Sequence, residues 1–477
     1  MKIKLNNTDY ANILLVFWIG CLFSINSSIV NDGLQVINFY YFFNYLRAYW
    51  PIIIFFVLLI TFIVKPKKKI NLFLLSYFIY AFWQIIALLI CSKEYALDLS
   101  RIHIVTSLLT TLLIIYYINY FNQINLKKLL FISIFFIILI CVFFYSQIFY
   151  DFLTNKLVDY LYWSPSLEAE ASTLSQTNPR ITGLSRMMVL ILYFVFYFSI
   201  IKKNYFLFLL LIIVNFLIYG SQSRGAFVGV ILLYLTYIFF FKDEIIKKFL
   251  IVISTLLLPI ILYESTLKVK DYLNKKSEIN ISINKKNRFL DSRVNDADAL
   301  STDRFLDSRL NDADALSTGR RFLDSRVNKA DALSTGRLTI WSRTLKIIDQ
   351  DKNFIGIGPQ ADRILLKKEK LNINPAERHF WDNNVSNGIL YSFLSGGVVS
   401  LAFFLLIYFL IFFEIYKSIF LKKIYLKKNP YINFSIMTLV FLSLRSFFEN
   451  SYAVFGVDSL FVCIAYSILY RFNNSKN

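Results

Sequence analysis

Four arginines lie beside or within apolar segments. A charged side chain is energetically costly there and is usually paired or functional. They are Arg180 in NPRITGLSR, Arg224 in GSQSRGAF, Arg337 in TGRLTIW and Arg445 in LSLRSFFEN. A guanidinium group binds phosphate oxygens in pairs, so arginines gathered at one membrane face would suit a lipid-linked diphosphate. The alternatives are side chains that extend to the interface, and an ion pair such as Arg445 with Glu449.

His379 and Asp382 form a second candidate site, in PAERHFWDNNVSNGIL just before an apolar segment. A histidine near a carboxylate can act as a general base at neutral pH. The alternative is structural, with Asp382 or the asparagines after it capping the start of a helix. No stretch has the pattern of a metal site, a phosphate-binding loop or a nucleophile elbow, so we expect neither a metal nor a cofactor.

The elements that must position these groups are apolar. The chain has 477 residues, of which 57% are hydrophobic, whereas soluble domains contain about 45–50%. The net charge is +20, but most lysines lie in short clusters between apolar segments, which is typical of membrane proteins and not of a nucleic-acid surface. The four cysteines lie in or beside apolar segments without CxxC spacing, so they predict neither a disulfide framework nor a metal site.

Windows of roughly 17–25 mostly apolar residues predict about 12 transmembrane helices. The predicted fold is therefore all-α and polytopic, with one large extracytoplasmic loop. The predicted spans lie near 10–30, 48–64, 71–91, 103–120, 129–149, 187–201, 204–220, 225–241, 249–264, 388–413, 431–448 and 457–471.

Lysine-rich loops predict the orientation of these spans. If the N-terminus is cytoplasmic, every cytoplasmic loop is rich in lysine, as the positive-inside rule requires. Both termini are then cytoplasmic. A large periplasmic loop at 265–387 separates nine helices in 1–264 from three in 388–477, and a shorter outer loop lies at about 150–186. The cytoplasmic loops are 65–69, 121–128, 202–203, 242–248 and 414–430.

Five short motifs, in order, resemble those of the O-antigen ligase and Wzy-type polymerase superfamily over roughly residues 175–465. The histidine that ligases place before the asparagine of the fourth motif falls here on Ser386, which favours a polymerase. The matching residues are Arg180, Thr182, Gly183 and Leu184; Ser223, Arg224, Gly225 and Ala226; Gly336, Arg337, Leu338 and Trp341, then Gly356, Gly358 and Pro359; Asn387, Leu390 and Gly397; and Arg445, Glu449 and Asn450.

The resemblance implies a membrane glycosyltransferase that polymerises undecaprenyl-diphosphate-linked oligosaccharide repeat units of O-antigen or capsule at the outer face of the inner membrane. Its partners would be that lipid-linked glycan, membrane lipid and a chain-length regulator protein, and not nucleic acid. The four arginines would bind the diphosphate, while Asp382 or His379 would accept the proton of the acceptor hydroxyl. No nucleotide or metal is needed, because the lipid diphosphate is already an activated leaving group.

Two other functions remain open from the sequence. An O-antigen ligase would transfer the same donor to a lipid A core. A flippase or other transporter could also have about 12 spans, but transporters place their sites near the midplane, whereas the arginines here lie towards the outer edge.

The periplasmic loop also contains a tandem repeat at 288–337, with copies that begin at Arg288, Arg304 and Arg321. The unit is shorter than the repeats of solenoid proteins and has few large apolar residues, so three copies cannot bury a core. We expect an exposed, expanded loop. A surface that contacts glycan is the alternative, which the near balance of Arg and Asp in each unit disfavours.

Overall fold

A computed structural model describes residues 51–60, 63, 71–91, 99–154, 181–221, 223–241, 244–291, 337–351, 354–371, 385–421, 429–453 and 456–474. Within these ranges every regular element is helical, which confirms the all-α class. The helices are α1 (Pro51–Ile60), α2 (Leu72–Ile90), α3 (Leu99–Ile118), α4 (Gln123–Thr154), α5 (Ile181–Lys202), α6 (Tyr205–Gly220), α7 (Arg224–Phe240), α8 (Ile245–Asp291), α9 (Arg337–Asp351), α10 (Ala361–Leu371), α11 (Gly388–Tyr416), α12 (Pro430–Ser446) and α13 (Val457–Asn474).

Five helical stretches in the described part of the chain are long and apolar enough to cross a membrane, which indicates a multi-pass membrane protein. Shorter apolar helices, including α1, α6 and α7, coincide with other predicted spans. The total of about 12 spans stays a prediction, and the first predicted span, 10–30, lies outside the described residues. The five stretches are Leu72–Ile90, Gln123–Val142, Gly183–Lys202, Ile245–Tyr272 and Gly388–Leu421.

Two helices, α5 and α13, form the centre of the bundle. Every side chain of α13 from Val457 to Leu469 is buried, and nearly every one of α5 from Leu184 to Tyr197 is buried too. A helix that is apolar on all sides requires neighbours on all sides. By contrast, α8 exposes apolar side chains along much of its length, including Phe249, Leu257 and Ile261, as expected of a helix in contact with lipid.

The structure differs from the sequence expectation where the periplasmic loop was predicted to begin. Helix α8 continues from Ile245 to Asp291, beyond the predicted end of the span at 264. The apolar part of this helix ends near Tyr272. Residues 292–336, which hold nearly all of the predicted tandem repeat, lie outside the described residues, as does most of the shorter outer loop, at 155–180.

Two glycines, Gly396 and Gly397, interrupt α11 with non-helical backbone angles. The segment 354–358 lies against this interruption. Within it, the backbone amides of Ile357 and Gly358 donate hydrogen bonds to carbonyl oxygens of α11 at 3.0 and 2.8 Å. Broken helices are tolerated at membrane depth when protein groups satisfy the freed backbone. The interruption therefore anchors the connection between α9 and α10 to a membrane helix.

The helix ends form two groups. At one end of the bundle, Asn71 Nδ2 donates to Asn119 Oδ1 at 2.7 Å, and Arg471 Nη2 donates to the Asn119 carbonyl at 2.6 Å. All three residues adjoin loops or a tail predicted to be cytoplasmic, so their grouping agrees with the predicted alternation. The starts of α5, α7, α11 and α13 and the end of α12 lie at the other end, where the candidate site is found.

Candidate functional site

Asp458, in the first turn of α13, is the acceptor for two arginines. Its Oδ2 atom accepts hydrogen bonds from Arg186 Nη1 at 2.9 Å and from Arg445 Nη1 at 3.2 Å. The Asp458 side chain is 3% exposed and that of Arg445 is 10% exposed, so this ion pair is largely desolvated. Two guanidinium groups share one carboxylate, which leaves one positive charge without a partner in this group.

A second ion pair joins the start of α9 to the turn after α12. Arg337 Nη2 donates to Glu449 Oε1 at 2.8 Å, and both side chains are about a quarter exposed. The charges of Arg186, Arg337, Glu449 and Asp458 all act on Arg445, so the two ion pairs form a single group. We call these five residues the arginine cluster. Its three guanidinium groups exceed its two carboxylates by one positive charge.

The ion pair of Arg445 with Glu449, which the sequence offered as an alternative, is not the one formed. Helix α12 ends at Ser446, although the Glu449 amide still donates to the Arg445 carbonyl at 2.9 Å. Glu449 pairs with Arg337 instead, and Arg445 pairs with Asp458.

Two buried polar atoms of the arginine cluster have no hydrogen-bond partner in the structure, Arg186 Nε and Asp458 Oδ1. Unsatisfied buried polar atoms are rare in folded proteins, and each one calls for an explanation such as an ordered water or a ligand. Arg186 Nε therefore keeps an unused hydrogen-bond donor, and Asp458 Oδ1 keeps an unused acceptor.

Arg224 begins α7 beside this cluster. Ser185 Oγ donates to Ser223 Oγ at 2.8 Å, which holds the start of α7 against the α5 turn that carries Arg186. The Arg224 side chain is exposed. The first turns of both helices carry the positive end of the helix dipole, which favours negative charge nearby. Arg224 therefore adds to the positive potential at this end of the bundle.

The backbone connection at 385–387 is held from three sides. Trp341 Nε1 of α9 donates to the Val385 carbonyl at 2.9 Å, and the Val385 amide donates to Asp362 Oδ2 of α10 at 3.2 Å. The Asn387 amide donates to Asn450 Oδ1, in the turn after α12, at 2.7 Å. These contacts tie helices α9 and α10, which were predicted to lie in the large loop, to the end of the bundle that carries the arginine cluster.

Asp362 is a buried carboxyl at the start of α10, with 2% of its surface exposed. Burial raises the pKa of Asp362 above its usual value, because desolvation disfavours the charged form. The hydrogen bond from Val385, the charge of Arg363 and the hydrogen bond from Asn450 act in the opposite direction without cancelling this effect.

Three residues predicted to act at the site, Arg180, His379 and Asp382, lie outside the described residues, so their roles stay predictions. Helix α11 starts with a capping asparagine: Asn387 Oδ1 accepts from the Ile389 and Leu390 amides at 3.0 Å. Ser386, at the position where ligases have histidine, is buried and has a left-handed φ of 48°.

Sequence reasoning missed three residues that the structure places in or beside the site, Arg186, Asp362 and Asp458. Arg186 and Asp458 each had a signal, a charge within a predicted or adjoining apolar segment. Arg186 ends the same NPRITGLSR stretch that contains Arg180, and Asp458 lies one residue into the last predicted span. Asp362 had only its place shortly after the Gly-x-Gly-Pro motif.

Chemically, this arrangement suits an anion. A net positive group of guanidiniums with the exposed Arg224 beside it can bind phosphate oxygens. Among the residues described by the structure, no three His, Cys, Asp or Glu side chains are grouped so that they could hold a metal ion.

Residues 206–405 match a family model described as O-antigen ligase. This confirms the resemblance to the O-antigen ligase and polymerase superfamily that the motifs indicated. The matched range includes Arg224, Arg337 and Asn387, whereas Arg186 and Arg445 lie outside it. No curated protein sequence matches the chain.

Proposed function

We propose, from the arginine cluster and the match to the O-antigen ligase family, that this membrane protein is a polymerase of undecaprenyl-diphosphate-linked oligosaccharide repeat units. It acts at the outer face of the bacterial inner membrane, with both termini in the cytoplasm. The observation that carries the proposal is the group of three arginines with an unbalanced positive charge, at the end of the bundle where the family motifs converge. A chain-length regulator protein is its expected partner.

The arginines stabilise the leaving group. The acceptor hydroxyl oxygen forms a bond to the anomeric carbon of the donor sugar, the bond from that carbon to the phosphate oxygen breaks, and its electron pair stays on the lipid diphosphate. Charge therefore develops on the diphosphate in the transition state. Guanidinium groups held in a poorly hydrated site stabilise this developing charge more than they stabilise the ground state.

The proton of the acceptor hydroxyl needs an acceptor. Asp382 and His379 lie shortly before the 385–387 connection in sequence and precede the capped start of α11. We assign the role of general base to one of them, with loss of a general base expected to reduce turnover by roughly 10²–10⁴-fold. Asp382→Asn or His379→Ala should then lower turnover while donor binding persists, and turnover at the wild-type rate in both variants would reject this assignment.

An O-antigen ligase is the second candidate, and the description of the matched family favours it directly. Such an enzyme uses the same donor and the same arginines but a different acceptor, the lipid A core. Ser386 favours the polymerase, because the residue that ligases use at this position is a histidine. The two candidates therefore differ in the acceptor and not in the diphosphate site.

The deciding experiment uses purified protein in liposomes with lipid-linked repeat units, with and without lipid A core. A polymerase makes a ladder of longer lipid-linked glycans from repeat units alone. A product that forms only when lipid A core is present would replace this proposal with the ligase. No transfer under either condition, with correctly inserted protein, would reject both.

Arginine-to-lysine substitutions test the role of the guanidinium groups in the same assay. Arg224→Lys and Arg337→Lys retain the charge but lose the planar pair of donors, so most of the activity should be lost. Lys268→Ala is the matched control, because Lys268 is an exposed cation on α8 outside the arginine cluster. Full activity in both arginine variants would remove the diphosphate role.

A further inference from the structure

A shallow, open groove of about 550 Å³ lies along the exposed face of α9, and all of its lining residues belong to this one helix. Its lining residues are spaced by three and four positions, so they share one face of the helix. The opposite face, which includes Ile340, Thr344 and Ile347, is buried against the rest of the protein. The lining residues are Leu338, Trp341, Ser342, Leu345, Lys346 and Asp349.

Trp341 forms a rigid part of this groove. Its indole N–H donates to the Val385 carbonyl at 2.9 Å, and its ring lies 6.3 Å from the Phe448 ring at an angle of 32°. The side chain is only partly buried. An aromatic ring held in place before binding loses little conformational entropy when a ligand packs on it.

The lining combines apolar and polar groups in a way that suits carbohydrate. Trp341 and two leucines offer an apolar surface, Lys346 offers donors, Asp349 offers acceptors, and Ser342 can do both. A sugar ring has an apolar face of C–H groups and an edge of hydroxyl groups. A hydrocarbon chain in this groove would leave the charges of Lys346 and Asp349 against apolar atoms, at an energetic cost. Lys346 and Asp349 together carry no net charge, so the lining offers no net attraction to a purely anionic ligand.

The groove also begins next to the arginine cluster. Arg337, at the start of α9, belongs to the arginine cluster, and Trp341 lies one turn further along the same helix, about 5–6 Å away. In a lipid-linked glycan the first sugar is bonded directly to the diphosphate. A donor whose diphosphate contacts Arg337 therefore brings its first sugar next to Trp341, and the following sugars along α9.

We infer that this face of α9 is a binding site for the sugar residues of the lipid-linked glycan, an inference that rests on the proposed function. Trp341 packs against the sugar nearest the diphosphate. Ser342, Lys346 and Asp349 bind hydroxyl groups of that sugar and the next.

The test compares the binding of two ligands to the full-length protein in detergent micelles. One is the undecaprenyl-diphosphate-linked repeat unit isolated from the source strain, and the other is undecaprenyl diphosphate without sugar. Trp341→Ala should weaken binding of the glycosylated ligand roughly tenfold, while Trp341→Phe, which keeps an aromatic face, should weaken it less. Lys346→Ala and Asp349→Ala should weaken it by a few fold. Binding of undecaprenyl diphosphate should not change in the Lys346 and Asp349 variants.

Substitutions of Lys346 and Asp349 should not disturb folding, because both side chains are exposed. Lys268→Ala provides an exposed control elsewhere. If Lys346→Ala, Asp349→Ala and Trp341→Phe all bind the glycosylated ligand like the wild type, the inference is overturned. Equal weakening of both ligands in every variant also overturns it, since the sugars would then contribute nothing. The variants could weaken binding of the glycosylated ligand selectively while the wild-type protein makes no polymer. That combination would support this site and reject only the proposed polymerase.

Discussion

At the scale of single residues, the unusual feature is that Arg186 and Arg445 share the carboxylate of Asp458. A buried charge is stable only when it is paired, and removing one partner of such a pair leaves the other uncompensated. Here the carboxylate stabilises two guanidinium groups at once and leaves their combined charge positive. Asp458 therefore allows two arginines to lie in a largely desolvated site while this site keeps a net positive charge.

Asp458→Asn should destabilise the protein by roughly 3 kcal/mol, because both arginines lose their counter-charge. Inorganic diphosphate should recover part of this loss, since the variant has more unbalanced positive charge for an anion to bind. Thermal unfolding in detergent, with and without inorganic diphosphate, measures both effects. Asp271→Asn, at an exposed position on α8, is the control. A variant that unfolds like the wild type would show that the shared carboxylate has no stabilising role.

Asp362 should make stability depend on pH in a defined direction. Its pKa in the folded state is raised above the usual value of 3.8 by burial, with Arg363 and Tyr391 as the nearby titratable groups. Between these two pKa values the folded protein binds the proton and the unfolded protein does not. The contribution of Asp362 to stability is therefore largest below the usual pKa and falls as the pH rises to the raised value.

Unfolding measured as a function of pH tests this behaviour. The difference in stability between the wild type and Asp362→Asn should change with pH across that window and become constant above it. A difference that is independent of pH across the acidic range would contradict a raised pKa. Asp349→Asn supplies an exposed carboxylate of the neighbouring helix α9 for comparison.

At the scale of elements, the break in α11 links the connection between α9 and α10 to the helical bundle. Gly397 has a φ of 59° and a ψ of −152°, a combination that is essentially restricted to glycine. A Cβ atom at this position would overlap the carbonyl oxygen of Phe354. Since that oxygen belongs to the backbone and accepts from the Val398 amide, it cannot move away without loss of the pairing.

Gly397→Ala should therefore destabilise the protein by roughly 3 kcal/mol or more, from backbone strain and the steric clash together. Gly225→Ala is the matched control, because Gly225 also belongs to a family motif but lies in α7, where an added Cβ atom would meet nothing within 4 Å. The control should be neutral or slightly stabilising, since alanine favours a helix. Thermal unfolding of both variants provides the measurement, and equal stabilities would contradict the strained break.

At the scale of the whole molecule, the activity should not depend on the number of copies of the tandem repeat. Deletion of residues 288–303 removes one copy and leaves the segment from Gly336 to Trp341 intact. Loop closure changes by only about 0.6 kcal/mol for each doubling of length, so the arginine cluster should still assemble. The liposome assay should show glycan transfer close to that of the wild type. Complete loss of transfer in a stably inserted deletion variant would show that the copies have a specific role.

Some properties of this protein follow from local sequence. Long apolar segments separated by lysine clusters are sufficient for an all-helical membrane protein, because hydrocarbon requires each spanning segment to satisfy its own backbone hydrogen bonds. The family resemblance likewise depends on short motifs of neighbouring residues, such as Ser223 to Ala226, and the match over 206–405 agrees with it.

Only the tertiary structure decided which charges meet. Arg445 and Glu449 are close in sequence, yet each pairs with a residue from another helix, because Asp458 of α13 and Arg337 of α9 lie within ion-pair distance of them. Arg186 and Arg445 are far apart in sequence and converge on Asp458 because α5, α12 and α13 pack together. Pairing of charges depends on distances between helices, and a periodic apolar pattern shows which residues are buried without showing which helices become neighbours.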